Sequence, residues 1–212
     1  MTTKKRQKKD YKNCLEIVFN MRKLGFFGGA FNPPTFAHIK LADYTYKKCK
    51  LDQLIFVPVG NKYQKEDLID EYHRFNMLKF ATKPYKNLTV SDIELGKNKS
   101  YTTIEAFELI AKQYPNDQLY FIMGADNLSK LPNWNRAEEL VSKYNFIILE
   151  RNTKESTFDI IKNNVLLNQY KDHFQIISSL EYKDISSKEV RDKLKLKQDV
   201  SEFISNDVVD YI

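Results

Sequence analysis

A glycine-rich segment near the start of the chain carries residue types that bind phosphate. It reads Gly28-Gly29-Ala30-Phe31-Asn32-Pro33-Pro34-Thr35-Phe36-Ala37-His38. Adjacent glycines permit close backbone approach, and the prolines fix the start of a helix whose free N–H groups attract an anion. Thr35 and His38 are three residues apart, so they share a face of the first turn and could both reach one phosphate. The alternative is an ordinary strand-to-helix turn with a buried histidine, since the spacings of a dinucleotide fingerprint or a Walker loop do not occur in this segment.

A second segment, much later in the chain, has a similar chemical character. It reads Ile185-Ser186-Ser187-Lys188-Glu189-Val190-Arg191. Ser186 or Ser187 would cap a helix, and Arg191 would lie one turn inside it, where a guanidinium can bind phosphate oxygens in a bidentate manner. The alternative is a surface helix with an ordinary cap and a solvated arginine.

Two side chains in the middle of the chain could bind other parts of a nucleotide. Trp134 lies in the polar segment 132–135, where its ring could stack on a planar cation or anchor the loop in the core. Asp126 follows an apolar run that ends at Gly124, so its carboxylate could accept from ribose hydroxyls or cap the next turn. The sequence alone does not decide between the two roles of Trp134, or between the two roles of Asp126.

Short apolar runs alternate with helix-like stretches, and this alternation predicts an α/β fold. Runs such as 24–27 and 119–123 indicate buried strands, and stretches such as 74–82 indicate helices. Near the end, the pattern predicts a helix over 158–167 and short helices over 187–194 and 201–211. We therefore expect one domain with a doubly wound, mostly parallel sheet and short C-terminal helices, with ligands beyond the carboxyl ends of the strands.

Composition excludes several classes of protein. The 212 residues are 42% hydrophobic and 29% charged, which excludes a disordered or collagen-like chain. No apolar run reaches the roughly 18 residues that a membrane-spanning helix requires. Cys14 and Cys49 lack metal-ligand spacing. We expect a soluble, cytoplasmic protein without a protein-held metal.

The net charge of +6 is concentrated at the start of the chain. Residues 1–23 carry eight Lys and Arg side chains against Asp10 and Glu16, which accounts for the whole excess. We expect residues 1–22 to be a solvated, flexible basic tail and residues 23–212 to form the domain. Binding of RNA or a membrane surface by the tail is the alternative, and binding of RNA would be salt-dependent and lost on deletion of residues 1–20.

The two motif segments together resemble the signatures of the nucleotidylyltransferase superfamily. The first is similar to Gly-Gly-x-Phe-(Asp/Asn)-Pro followed by (His/Thr)-x-Gly-His, with Thr35 and His38 in the first and last positions of the second part. The second is similar to Ile-Ser-Ser-Thr-x-(Ile/Val)-Arg. Ala37 and Lys188 stand where that superfamily usually has Gly and Thr.

The segments between these motifs resemble one branch, the bacterial nicotinate mononucleotide adenylyltransferases. They are Ser100-Tyr101-Thr102-Thr103, Gly124-Ala125-Asp126-Asn127-Leu128 and Leu131-Pro132-Asn133-Trp134-Asn135-Arg136. The loop after the second strand lacks the Pro-Pro-His portion common in that branch, and Lys62 or Lys65 could still neutralise phosphate there.

This resemblance implies a Rossmann-like enzyme that transfers an adenylyl group from ATP, accompanied by Mg²⁺, to nicotinate mononucleotide, giving deamido-NAD and pyrophosphate. It implies three sets of site residues: His38, Thr35 and Arg191 in catalysis; Gly28, Gly29, Phe31, Ser186, Ser187, Gly124 and Asp126 at ATP and its phosphates; and Thr102, Trp134 and Lys65 at the mononucleotide. Another acceptor, such as nicotinamide mononucleotide or phosphopantetheine, and a non-catalytic nucleotide-binding module remain alternatives. No membrane or nucleic-acid partner is expected, and a homo-oligomer is left open.

Overall fold

The alternating apolar runs form a parallel sheet with helices on both faces. The structure, a computed structural model, describes residues 21–65, 67–150, 156–178 and 185–212. The predicted basic tail therefore lies outside the described residues except for Met21 and Arg22. Within the described residues the strands are β1 Lys23–Gly29, β2 Gln53–Pro58, β3 Leu88–Val90, β4 Gln118–Gly124, β5 Asn145–Glu150 and β6 Phe174–Ser178.

The helices alternate with these strands as the sequence pattern predicts. They are α1 Phe36–Lys48, α2 Glu71–Thr82, α3 Thr103–Gln113, α4 Ala137–Lys143, α5 Thr157–Asn163, α6 Val165–Gln169, α7 Ser187–Lys195 and α8 Asn206–Val209. A 3-10 segment, Ala125–Asn133, follows β4, and a shorter one, Lys171–His173, precedes β6.

The strand order confirms the predicted doubly wound topology. The strands lie in the order β3-β2-β1-β4-β5-β6, and every neighbouring pair is parallel. The chain winds outward in one direction from β1 and in the other from β4, so the topological switch lies between these two strands. In such sheets the ligand crevice opens beyond the carboxyl ends of the strands at the switch.

The core lies on both faces of the sheet. Successive residues of a strand point to opposite faces, and in β5 Ile147 and Leu149 pack in one apolar cluster while Phe146 and Ile148 pack in another. The first cluster includes residues of α1, α2, α7 and α8, and the second includes residues of α4, α5 and α6. Helix α3 packs Phe107 and Ile110 against β1 and β2 in a third cluster.

Helix boundaries differ from the sequence-based expectations at three places. The predicted helix over 158–167 is interrupted, because the side chain of Asn164 accepts the N–H of Leu167 and caps a separate helix α6. Helix α2 starts at Glu71, because Asp70 caps it through the N–H of Tyr72. The predicted helix over 201–211 is reduced to Asn206–Val209.

None of the described helices has the length and apolar character that crossing a membrane requires.

Candidate active site

A cavity of about 720 Å³ opens beyond the carboxyl ends of β1 and β4, at the topological switch. It brings together nine of the residues predicted from the sequence: Gly28, Gly29, Phe31, His38, Lys65, Thr102, Gly124, Asp126 and Trp134. The other four, Thr35, Ser186, Ser187 and Arg191, are not part of its lining. They lie where the second motif segment packs against the first.

The first turn of α1 fixes the ring of His38. Thr35 is buried, and its backbone N–H donates to Nδ1 of His38 at 3.0 Å, while its Oγ1 lies 2.7 Å from the same nitrogen. A neutral imidazole whose Nδ1 accepts a hydrogen bond carries its proton on Nε2. His38 also packs edge-on against Phe31, with ring centroids 5.3 Å apart. The Nε2–H group is therefore the part of this cavity-lining ring that suits a phosphate oxygen.

The second motif segment docks on the backbone of the first. Ser187 Oγ donates to the carbonyl of Pro33 at 2.8 Å, and Arg191 Nη1 donates to the carbonyl of Asn32 at 2.9 Å. Ser186 caps α7 by accepting the N–H of Glu189 at 3.1 Å. Arg191 Nε is buried and has no hydrogen-bond partner within the described parts of the chain, so the guanidinium retains unused donor capacity.

The two departures from the superfamily pattern lie in the first turns of two helices. Ala37 occupies the first turn of α1 and is only partly buried, and it is the neighbouring His38 that lines the cavity. Lys188 is exposed at the start of α7, one residue after the docked Ser187.

Trp134 and Thr102 line the cavity from two segments that are joined through α3. Trp134 packs against Phe121 of β4, with ring centroids 6.1 Å apart. Two residues later, Arg136 donates to Glu108 of α3 at 2.6 Å and to Glu139 of α4 at 2.7 Å. The Trp134 loop is thus tied to the helix that begins just after Thr102.

The hydroxyl of Thr102 is used within its own helix. Its backbone N–H and its hydroxyl both donate to Glu105, at 2.9 and 3.0 Å, and Glu105 also pairs with Lys99 at 2.9 Å. Lys99 and these hydrogen bonds lower the pKa of Glu105 to about 2. Because the hydroxyl proton is directed at Glu105, Thr102 presents oxygen lone pairs rather than a donor to its remaining surroundings.

Comparison with known proteins identifies the family of the chain. The cytidylyltransferase-like family matches residues 26–193, a range that contains both motif segments. A probable nicotinate-nucleotide adenylyltransferase of Carboxydothermus hydrogenoformans is 37% identical over 90% of this chain and 94% of its own length. The chain belongs to the cytidylyltransferase-like family.

One further relative supports the resemblance stated from the motifs, and one solved structure supports the fold. The nicotinate-nucleotide adenylyltransferase of Bacillus subtilis is 35% identical over 62% of this chain and 70% of its own. The structure of the Plasmodium falciparum nicotinic acid mononucleotide adenylyltransferase complexed with NaAD superposes with a TM-score of 0.75 over 90% of this chain and 94% of its own, at 23% identity. The structural likeness shows a shared fold, and the predicted family is confirmed.

The 60–65 segment of this cytidylyltransferase-like chain places one of its two lysines in the cavity lining. Lys65 lines the cavity together with Tyr63, whereas Lys62 does not, although both lysines are exposed. The buried side chain of Arg74 supports the backbone next to this segment. Arg74 is fully buried, and its guanidinium donates to the carbonyls of residues 30, 59 and 69.

Sequence reasoning missed two carboxylates beneath this segment. Glu94, which follows β3, is 9% exposed and lines the cavity. Burial raises its pKa to about 7, although the N–H of Gly60 and the charge of Arg74 both act to lower it. Glu71, at the start of α2, is 4% exposed. No motif marks either residue, and Glu71 accepts the N–H groups of Asn61 and Gly96, which are distant along the chain.

Proposed function

We propose that this chain transfers an adenylyl group from ATP to nicotinate mononucleotide, releasing pyrophosphate and forming deamido-NAD. The observation that carries the proposal is the cavity at the switch between β1 and β4, which combines a glycine turn and His38 with Trp134. The relatives named nicotinate-nucleotide adenylyltransferases match most of the chain and give the reaction and acceptor.

His38 would act on the α-phosphate of ATP, whose oxygens gain charge during the transfer. The mononucleotide phosphate attacks the α-phosphorus of ATP in line; the new P–O bond forms as the bond to the β-phosphate breaks, and pyrophosphate leaves. An ionised phosphate nucleophile needs no general base, so catalysis rests on positioning and charge neutralisation. The Nε2–H group that the Thr35 contact implies can donate to an α-phosphate oxygen throughout this step.

The docked second motif would bind the leaving pyrophosphate. The positive end of the α7 helix dipole lies at Ser186 and Ser187, and Arg191 supplies a delocalised charge whose buried Nε has no hydrogen-bond partner within the described parts of the chain. Thr35 and the glycines at 28 and 29 would hold the turn so that the phosphates can approach the backbone closely. Thr35 would therefore position His38 and support catalysis through it.

Mg²⁺ would enter as part of the ATP substrate. This ion prefers oxygen ligands and commonly keeps several waters while binding phosphates and one or two carboxylates. Asp126 is an exposed carboxylate of the cavity lining and fits this donor preference, or the ribose hydroxyls as predicted. Among the described residues there is no group of three His, Cys, Asp or Glu side chains that could hold a metal.

The mononucleotide would lie between Trp134 and the 60–65 segment. A pyridinium ring is planar and cationic, and stacking on an indole suits both properties. Lys65 supplies a positive charge for the mononucleotide phosphate. Thr102 would contribute through the shape and backbone of its segment, because its hydroxyl proton is directed at Glu105.

Labelled ATP tests the reaction directly. With nicotinate mononucleotide present, a label on the α-phosphate should appear in a dinucleotide, and a label on the γ-phosphate should appear in pyrophosphate. Label from the α-phosphate in free AMP, or bound to the protein, would contradict direct transfer between substrates.

A further inference from the structure

The loop between β2 and α2 carries two lysines, of which one faces the cavity. Lys65 lines the cavity together with Tyr63, whereas Lys62, which precedes both in the same loop, does not. Both lysines are exposed and have the same side chain. The backbone conformation of the loop therefore decides which of the two is presented to a ligand, and the contacts that fix this conformation become important.

One buried guanidinium binds both ends of this loop. Arg74, from α2, is 0% exposed. Its Nη2 donates to the carbonyl of Val59 at 2.6 Å, and its Nε donates to the carbonyl of Ile69 at 2.9 Å. Its Nη1 donates to the carbonyl of Ala30, in the turn after β1, at 2.9 Å. Because a buried charge is costly unless it is hydrogen-bonded, the guanidinium and these carbonyls hold one another in place.

A buried carboxylate binds the residue that precedes Lys62. Glu71 is 4% exposed. Its Oε2 accepts the N–H of Asn61 at 2.5 Å, and its Oε1 accepts the N–H of Gly96, beyond β3, at 2.6 Å. The side chain of Asn61 binds α2 in return, because its Oδ1 accepts the N–H of Glu71 at 2.7 Å and its Nδ2 donates to Asp70 at 2.8 Å. Asn61 is thus joined to the start of α2 through both its backbone and its side chain.

Gly60 fits closely between this carboxylate and the neighbouring backbone. A Cβ atom at this position would lie 2.7 Å from the backbone oxygen of Glu94 and 3.2 Å from Oε2 of Glu71. The first distance is a clash with backbone, which cannot move aside easily. Any side chain at this position would therefore push the loop away from Glu71.

Backbone hydrogen bonds carry the constraint from these residues to Lys65. The N–H of Tyr63 donates to the carbonyl of Gly60 at 3.1 Å, and the N–H of Lys65 donates to the carbonyl of Tyr63 at 3.0 Å. Beyond Lys65, the buried Asn32 of the first motif segment donates from Nδ2 to the carbonyl of Asp67 at 2.6 Å. Lys65 therefore lies between two parts of the loop that are both held from outside it.

Building on the proposed function, we propose that Glu71 and Arg74 are positioning residues that hold this loop so that Lys65, and not Lys62, binds the phosphate of the mononucleotide. Neither Glu71 nor Arg74 belongs to the cavity lining. They act on the acceptor only through the loop, so their effect on its binding depends on the presence of Lys65.

Amide hydrogen exchange tests the anchoring without any substrate. In NMR spectra of the full-length protein, the N–H groups of Asn61 and Gly96 should exchange at least about tenfold more slowly than in an unstructured chain, the order expected for a hydrogen bond to a carboxylate. Glu71→Gln leaves one acceptor oxygen for these two N–H groups, so at least one of them should lose its protection. Glu138→Gln, a matched change at an exposed glutamate of α4, should leave both protected.

A double-mutant cycle tests transmission through Lys65. The dissociation constant of nicotinate mononucleotide would be measured by calorimetry with an ATP analogue that has a methylene group between its α- and β-phosphorus atoms, which prevents transfer. Lys65→Ala should raise this constant about tenfold, and Glu71→Gln should raise it roughly threefold. When Glu71→Gln is added to Lys65→Ala, the further change should be less than about twofold. Lys62→Ala should bind the mononucleotide as the parent does.

Asn61→Ala provides a second variant for the same cycle. Asn61 is exposed, and loss of its side chain removes its contacts with α2 while the buried carboxylate stays in place. This variant should weaken binding in the parent and not in Lys65→Ala, and it decides the question if Glu71→Gln fails to fold. Asn116→Ala, at an exposed asparagine before β4, is the matched control and should leave the dissociation constant unchanged.

The outcomes separate the inference from the proposed function. An unprotected Asn61 amide in the parent, an equal factor for Glu71→Gln with and without Lys65, or an equal effect of Lys62→Ala and Lys65→Ala would overturn the inference. Binding of nicotinate mononucleotide to the parent without transfer from ATP would overturn the proposed function alone. A parent that does not bind the mononucleotide would overturn both.

Discussion

The two ends of the proposed site are built in different ways. At the phosphate end, Thr35 and His38 contact each other within one helical turn, and the second motif donates directly to the carbonyls of Asn32 and Pro33. At the acceptor end, Trp134, Thr102 and Lys65 come from three separate segments. Glu105 accepts the hydroxyl of Thr102, and Arg136, two residues after Trp134, donates to Glu108.

This difference indicates which residues of the proposed site can change independently of one another and which cannot. Residues at the phosphate end depend on one another's backbone, so in the proposed complex a change there should disturb the reacting phosphates. Residues at the acceptor end are held by ordinary side chains such as Glu105 and Arg136, which leaves the acceptor contacts adjustable one at a time. Mutations at the phosphate end should therefore lower turnover, and mutations at the acceptor end should change the requirement for one substrate.

Of the three replacements, that of His38 should have the largest effect, because it removes a proposed contact at the phosphate end. His38→Ala removes the donor proposed for the α-phosphate, and we expect kcat to fall by roughly 100- to 1000-fold, as for other donors to developing charge. His73→Ala, at an exposed α2 residue that contacts Tyr211, is the control. Turnover of His38→Ala at the parent rate, with the fold intact by circular dichroism, would refute the assigned role.

Replacing Trp134 should have an intermediate effect, and it should affect binding at the acceptor end alone. Loss of one stacking platform costs about 1–3 kcal/mol, so in Trp134→Ala the KM for nicotinate mononucleotide should rise about tenfold or more while the KM for ATP stays near the parent value. Trp134→Phe, which retains an aromatic face, should recover part of the loss. If both KM values rose equally in Trp134→Ala, the stacking assignment would be wrong.

Replacing Glu105 should have the smallest effect, because Glu105 supports Thr102 at the acceptor end and is not itself a proposed substrate contact. Glu105→Gln weakens the cap at Thr102 and the exposed pair with Lys99, so the free energy of unfolding should fall by at most about 1 kcal/mol at pH 7. The pKa of Glu105 is lowered from 4.5 to about 2. The contribution of its charge is therefore present above pH 4.5 and is lost as the pH falls towards 2.

Urea unfolding at pH 7 and at pH 3 measures this contribution. The difference in unfolding free energy between the parent and Glu105→Gln should shrink at the lower pH, and Glu138→Gln should show no such difference. A larger difference at pH 3 than at pH 7 would show that the carboxylate does not stabilise the cap.

Much of the fold was predictable because its signals are local. Buried strands of a parallel sheet are nearly continuous apolar runs, so β1, β2, β4 and β5 could be located and the doubly wound class inferred. Helix ends were less predictable, because they depend on single caps. Asn164 divides a stretch whose apolar pattern runs on, and only the hydrogen bond to Leu167 reveals the break.

The candidate site was predictable where function requires a contiguous motif. The segments at 28–38 and 185–191 could be recognised, and their direct contact follows from the fold. Glu71 could not, because a buried carboxylate that binds backbone N–H groups needs no particular sequence around it. No motif marks the buried Glu94 either. The use of the Thr102 hydroxyl as a donor to Glu105 was also beyond the sequence pattern, although the spacing of three residues is that of a capping pair.

Release of pyrophosphate from ATP and Mg²⁺ tests the central claim most directly. Nicotinate mononucleotide, nicotinamide mononucleotide and phosphopantetheine would be offered separately at equal concentration. The account predicts rapid release with nicotinate mononucleotide and much slower release with the other two. Release with phosphopantetheine alone, or with none of the three, would contradict it, and in the second case ATP binding without turnover would identify a nucleotide-binding module instead.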